Sequence, residues 1–136
     1  MKNKKLQIIV EKGTDGTYSA YPSSLKTTII GEGDTAEEAI NDFVNSYNEV
    51  VAYFSETGNE LPEELKNIEF EFKYDLSAFF SYFKFINASA FAKSIGIEPS
   101  LMRHYKAGKT CISKTQAKKI ENGIHSLARE LQSVRL

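Results

Sequence analysis

Ser100, Arg103 and His104 stand three and four residues apart in a short segment that opens at Pro99 and closes at Gly108. On a helix this spacing puts all three on one face, where a hydroxyl, a guanidinium and an imidazole are presented together. Such a set is suited to hydrogen bonding rather than to bond breaking. A guanidinium donates two parallel bonds to a guanine edge, which makes Arg103 the best-suited base reader, and a hydroxyl such as Ser100 can reach a base or a phosphate. His104 suits a DNA contact and a solvent-exposed or partly packed position equally well. Lys106, Lys109, Thr110 and Lys114 follow closely, and fit phosphate contacts, which position a protein on a duplex without reading it.

Other chemistries find weaker material. The two histidines, His104 and His125, have no carboxylate or nucleophile nearby in sequence, and Glu37-Glu38, Glu63-Glu64 and Glu69 with Glu71 read as solvated acids. Gly31-Glu32-Gly33 precedes a helix but lacks the further glycine or the lysine of a phosphate-cradling loop. A metal-dependent nuclease would need acids converging from separate strands, for which Glu11, Asp15 and Glu69 are the only loose candidates. Cys111 is the single cysteine, so neither an internal disulfide nor a zinc-binding CxxC pair can form. No catalytic residue, metal ligand or cofactor is expected.

The elements that position the opening set are helical. Asn87 or Ser89 can cap a first short helix, Ala92 is small enough for two helices to cross, and Gly96 suits a left-handed helix end. Ile97 then plugs the angle between the helices, and Pro99 fits the first turn of the next one, where a missing N–H costs nothing. Ala92, Gly96, Ile97, Ser100 and Gly108 together resemble the helix-turn-helix of the phage Cro and repressor family, whose second helix enters the major groove. Upstream, Leu76, Phe79, Phe80, Phe83 and Ile86 make one face of another short helix. Downstream, Ser113 and Gln116 have capping-box spacing ahead of a long helix over 114–135. Along it Ala117, Ile120, Ile124, Leu127, Leu131 and Val134 recur at three- and four-residue steps. The near half should complete the core, while Ile124, Leu127, Leu131 and Val134 are candidates for a homodimer or higher-oligomer contact. The competing expectation packs the whole seam inside one chain.

The first half reads differently. Residues 6–11 and 17–21 flank the turn Gly13-Thr14-Asp15-Gly16, and Thr27-Thr28-Ile29-Ile30 reads as a third, β-branched strand. Thr35 and Glu38 cap an amphipathic helix that should stop near Gly58, and Ile68-Glu69-Phe70-Glu71-Phe72-Lys73-Tyr74 alternates as a fourth strand. The expected fold is α+β: a β-β-β-α-β domain over 1–75, then an all-α helix-turn-helix domain over 76–136. Residues 1–75 hold seven lysines, no arginine and fifteen acids, a net −8, against seven lysines, three arginines and three acids, a net +7, in 76–136. A basic half suits duplex DNA, and an acidic half suits a basic protein. No apolar run approaches the roughly 18 residues of a membrane span. The basic start Met1-Lys2-Asn3-Lys4-Lys5 leads into strand-like alternation rather than a signal-peptide core, so a cytoplasmic protein is expected.

Tyr18-Ser19-Ala20-Tyr21-Pro22, Gly33-Asp34-Thr35-Ala36-Glu37-Glu38-Ala39 and Pro99-Ser100-Leu101-Met102-Arg103-His104-Tyr105 together resemble the HicB antitoxin family, over nearly the whole chain. Where many members carry Leu-Pro-Gly after the second strand, this chain has Ser23-Ser24-Leu25-Lys26. The resemblance implies a truncated ribonuclease-H-like domain that masks a small basic HicA-type ribonuclease toxin, joined to a domain that represses its own operon by binding operator DNA. Tyr18, Tyr21, Pro22, Leu25 and Glu32 are the candidates for the toxin surface. The alternative expectation is a stand-alone helix-turn-helix regulator whose first domain senses a ligand or oligomerises.

Overall fold

The computed structural model describes residues 3–24 and 29–136, and the chain divides into two compact units, 1–84 and 85–136. Among the described residues there are a mixed four-stranded sheet and five α-helices.

In the first unit, strand β1 (Lys4–Lys12) turns through Gly13–Gly16 into β2 (Tyr18–Pro22). Gly16 takes φ +88°, a conformation open to glycine at little cost, and Asp15 Oδ1 accepts from the Thr17 amide at 3.0 Å and its hydroxyl at 2.7 Å. Strand β3 (Gly31–Gly33) pairs antiparallel to β2, and β4 (Ile68–Tyr74) pairs parallel to β1, giving the order β3-β2-β1-β4. Helix α1 (Ala36–Glu56) covers one face. Its Ala36, Ala39, Ile40 and Phe43 close a core with Leu6, Ile8, Val10 and Ala20. Full burial of side chains the size of Ile8 or Phe43 contributes about 1.5–3 kcal/mol each.

Helix α1 starts where the capping spacing predicts. Thr35 Oγ1 accepts from the Glu38 amide at 3.1 Å, and the Glu38 carboxylate reaches back to the Asp34 amide at 2.7 Å. The helix ends at Thr57, followed by left-handed Gly58. A single 3₁₀ turn at Glu63–Leu65 then buries Leu65, whose carbonyl accepts from Tyr47 Oη at 2.8 Å.

Three expectations shift. The third strand is Gly31–Gly33 rather than Thr27–Ile30: Ile29 and Ile30 lie outside any strand, and Thr27 and Thr28 fall outside the described residues. A side chain at Gly31 would collide with the α1 backbone at Ala39 and Phe43, so close approach, not β-branching, selects the strand. Helix α2 (Leu76–Tyr82) ends at Tyr82 and does not carry Ile86. It also belongs to the first unit, not to the helical half beginning at residue 76. Asp75 Oδ1 caps it through the Ala78 amide at 2.7 Å while Oδ2 accepts from the Lys12 amide at 3.0 Å. Phe79 packs on Tyr74 with ring centres 6.4 Å apart, and Ser81 Oγ accepts from the Ala36 amide at 3.2 Å. With the boundary at 84/85 the charge division persists: eight lysines and fifteen acids, net −7, before it, and six lysines, three arginines and three acids, net +6, after it.

The second unit holds α3 (Ala88–Ser94), α4 (Pro99–Ala107) and α5 (Lys114–Gln132). Ala88, Phe91, Ala92, Ile97, Met102, Tyr105 and Ile120 are its buried apolar residues. No helix among the described residues is long and apolar enough to cross a membrane.

Candidate nucleic-acid interface

The α3–α4 corner is fixed by backbone geometry. Asn87, rather than Ser89, caps α3, its Oδ1 accepting from the Ala90 amide at 2.9 Å. Ala92 is completely buried, and its carbonyl accepts from the Ile97 amide at 2.9 Å across the turn. Gly96 makes that reversal possible with φ +77°, a region that costs a residue with a Cβ about 1–2 kcal/mol. Ile97 is buried below the corner, Pro99 stands in the first turn of α4, and left-handed Gly108 ends it with φ +74°.

With Met102 and Tyr105 turned into the core, the opposite side of α4 is left to solvent. Ser100, Arg103, His104 and Lys106 are all exposed there, at the helical spacing that keeps Ser100, Arg103 and His104 on one face. Arg103 Nη1 donates to Ser89 Oγ at 3.0 Å, which orients the guanidinium. Lys109 and Thr110 are exposed in the α4–α5 connection, and Lys114 opens α5, capped by Ser113 Oγ accepting from the Gln116 amide at 3.2 Å.

Two further lysines join this set without having been singled out in the sequence. Lys114, Thr115, Lys118, Lys119 and Asn122 line one shallow concavity on α5, and Lys119 Nζ donates to the Gly96 carbonyl at 3.1 Å, linking α5 to the corner. The four-residue step from Lys114 to Lys118 was a readable signal, hidden by the apolar seam that starts at Ala117 on the same helix. Gly123 was missed too: a Cβ there would strike Ile95, so α5 passes close to the end of α3.

The chain matches no family model, no curated protein and no solved structure.

The apolar seam of α5 divides along its length. Ile120 is 2% exposed and Ile124 and Leu127 are half-buried, whereas Leu131 is 59% and Val134 53% exposed. The helix stops at Gln132, so Val134 lies beyond it. Ala117, at the start of the seam, is exposed, so Ile120 is the residue of the near half that enters the core, and the far half presents apolar surface.

In the first unit the five candidate partner-contact residues do not form one surface. Side chains alternate along a strand, so Tyr18 and Pro22 share the side of buried Ala20, while Tyr21 lies on the face opposite α1. There Tyr21 Oη donates to Glu11 Oε1 at 3.0 Å, and burial with this carboxylate beside it pushes the phenol up from its ordinary range. Glu32 pairs with Ser19 and so shares the face of Tyr21, with its amide held by Asp42 Oδ2 at 2.9 Å. Leu25 lies outside the described residues.

The acids considered for metal chemistry stand apart. Glu69 pairs with Lys5 while Glu11 lies six residues further along β1, a separation of about 20 Å at strand spacing. Asp15 is committed to its turn, its carboxyl held below the usual range chiefly by the Thr17 hydroxyl.

Proposed function

We propose that the chain is a two-headed antitoxin of the HicB type: residues 85–136 bind operator DNA and repress the operon, and residues 1–84 bind and mask a small basic ribonuclease toxin of the HicA type. The observation carrying this reading is that the division of charge coincides with the division of the fold, −7 before residue 84/85 and +6 after it. A cationic surface gains affinity for duplex DNA by releasing condensed counterions, whereas an anionic one attracts a basic protein and is repelled by phosphate.

On this reading the α3–α4 corner is a helix-turn-helix, with α4 in the major groove. Arg103 pairs with a guanine, Ser100 and His104 touch neighbouring edges, and Lys106, Lys109, Thr110 and Lys114 hold phosphates. Ile124, Leu127, Leu131 and Val134 join two copies, so that two recognition helices meet half-sites about 34 Å apart. Three antiparallel strands, a covering helix and a fourth strand beside the first support a truncated ribonuclease-H-like head. Both proposed partners put the protein in the cytoplasm.

Two measurements test the reading. A DNA fragment from upstream of the gene should shift with the full chain, and a short basic protein encoded beside it should be toxic alone, harmless when co-expressed and retained on the tagged chain. DNA binding without such a neighbour would make this a stand-alone regulator. Failure to bind any duplex in dilute buffer would end the proposal for the second unit. A mass measurement on Leu131→Glu, expected to halve the assembly, tests the α5 contact.

A further inference from the structure

Helix α1 is chemically one-sided along its length. Its buried residues, Ala36, Ala39, Ile40 and Phe43, all lie in its first half. Its second half borders a groove of about 480 Å³ lined by Ile29, Ile30, Glu49, Val50, Tyr53 and Phe54 together with Ser46. Ile30 is 47% and Tyr53 59% exposed there, and Tyr53 meets Phe54 edge-on with ring centres 5.6 Å apart.

The charged residue among those lining this groove is Glu49, and Glu56 follows Tyr53 by three residues on the same helix. Between Ala36 and Glu56 the helix carries Glu37, Glu38, Asp42, Glu49 and Glu56 and no lysine or arginine. A helix C-terminus also bears roughly half a negative charge from its unsatisfied carbonyls, which cations normally offset. Here the last turn has Glu56 and no basic residue. Apolar side chains bordered by Glu49 and Glu56, on a helix that carries no basic residue, fit a partner element with apolar residues flanked by lysine or arginine. A second copy of the same acidic surface would be repelled.

We infer that the groove between the Ile29-Ile30 segment and the C-terminal half of α1 is the docking site for a cationic, amphipathic helix of a partner protein. Tyr53 and Ile30 provide the apolar anchor, and Glu49 and Glu56 the charge complement. The inference rests on reading the acidic unit as the protein-binding head, and it puts the contact on α1 rather than on β2.

The test uses the full chain and two synthetic helical peptides of about four turns, one of leucine and lysine, the other of leucine and glutamate. The chain should bind the lysine peptide, more weakly as salt rises, while any binding of the glutamate peptide, which the cationic second unit attracts, should be the same for parent and groove variants. The double variant Ile30→Glu/Tyr53→Glu should bind the lysine peptide at least about tenfold more weakly, as expected for loss of a central anchor, with thermal midpoint, mass and DNA binding unchanged. Should that variant fail to fold, Glu49→Lys/Glu56→Lys, at two exposed positions, must show the same loss. Equal binding of the lysine peptide by variant and parent, or an equal loss of both peptides in the variant, overturns the inference. A fall in mass on substitution also overturns it by assigning the groove to a second copy. These outcomes are separate from the search for a toxic neighbour: a chain that captures the lysine peptide but has no such neighbour keeps the groove and loses the toxin.

Discussion

Arg103 on α4 donates from Nη1 to Ser89 Oγ on α3 at 3.0 Å, across fourteen residues of chain. Because Asn87 supplies the α3 cap, the Ser89 hydroxyl is available to hold a guanidinium that would otherwise sweep through solvent. If the proposed operator contact holds, Arg103→Ala should weaken binding to that operator by about 1–3 kcal/mol and flatten the preference for one base pair. Competition binding against operators mutated one position at a time measures both. A uniform loss over all sequences would move Arg103 to the phosphate-binding group. Ser89→Ala should leave the fold intact and lower affinity by less than the arginine change.

The lysines of α5 make a different prediction. Lys114, Lys118 and Lys119 border one concavity, and Lys118 has only an exposed partner in Glu121 at 3.5 Å, worth little in solution. Replacing Lys114 or Lys118 by alanine should weaken binding equally on specific and random duplexes. Each should reduce the slope of log affinity against log salt by about 1, as titrations at several salt concentrations can show. An unchanged slope would take that lysine off the DNA.

Most helix starts in this fold were readable in the sequence, and the strand nearest the helix was not. Thr35 with Glu38, Asn87 and Ser113 with Gln116 are local devices, each acting within three residues, so sequence alone discloses them. The alternation of β4 was equally plain. Strand β3 was hidden because its pairing depends on how tightly Gly31 and Gly33 lie against α1, a contact between distant residues that outweighs the β-propensity of Ile29 and Ile30. The membership of α2 was hidden for the same reason, since Tyr74 and Ser81 bind it to the sheet and α1. Of the site, the exposed face of α4 followed directly from helical spacing. Grouping Tyr18 with Tyr21 overlooked that residues three apart on a strand point to opposite sides.

Close packing at glycine can be tested by substitution. Gly31→Ala should destabilise the first unit by more than about 2 kcal/mol, because the new methyl meets backbone that cannot move aside. Gly123→Ala is more informative. Alanine favours a helix by about 1 kcal/mol over glycine, but its Cβ would strike the Ile95 side chain. The single change should therefore destabilise, and Gly123→Ala/Ile95→Ala should lose less than the sum of its parts in urea unfolding. Additive losses would mean that the two residues are not in contact.

Alkaline pH should loosen the first unit in a defined window. Tyr74 lies among the rings of Phe72, Phe79, Tyr82 and Phe83, and burial, with a smaller contribution from Tyr82, pushes its phenol from 10.0 to about 12. Below pH 10 the phenol is protonated in both folded and unfolded chains and stability is unaffected. Above it the unfolded chain gives up the proton first, so stability falls until the folded phenol ionises near 12. Urea midpoints between those limits should fall less steeply for Tyr74→Phe than for the parent, by a modest amount because the group is only half-buried. Parallel profiles would show that this phenol does not couple to folding.

The parallel pairing of Lys4 with Ile68 through Val10 with Tyr74 also sets an order of events during synthesis. The first strand to leave the ribosome waits for the last one of its sheet, while the tail's helices are built from near neighbours and need no such delay. A nascent chain thus carries Leu6, Ile8 and Val10 without their final partner until β4 has been made, the stage at which sticky edges find each other. Messages broken before the Ile68 codon would yield fragments whose sheet lacks β4 and whose first unit stays open to proteases.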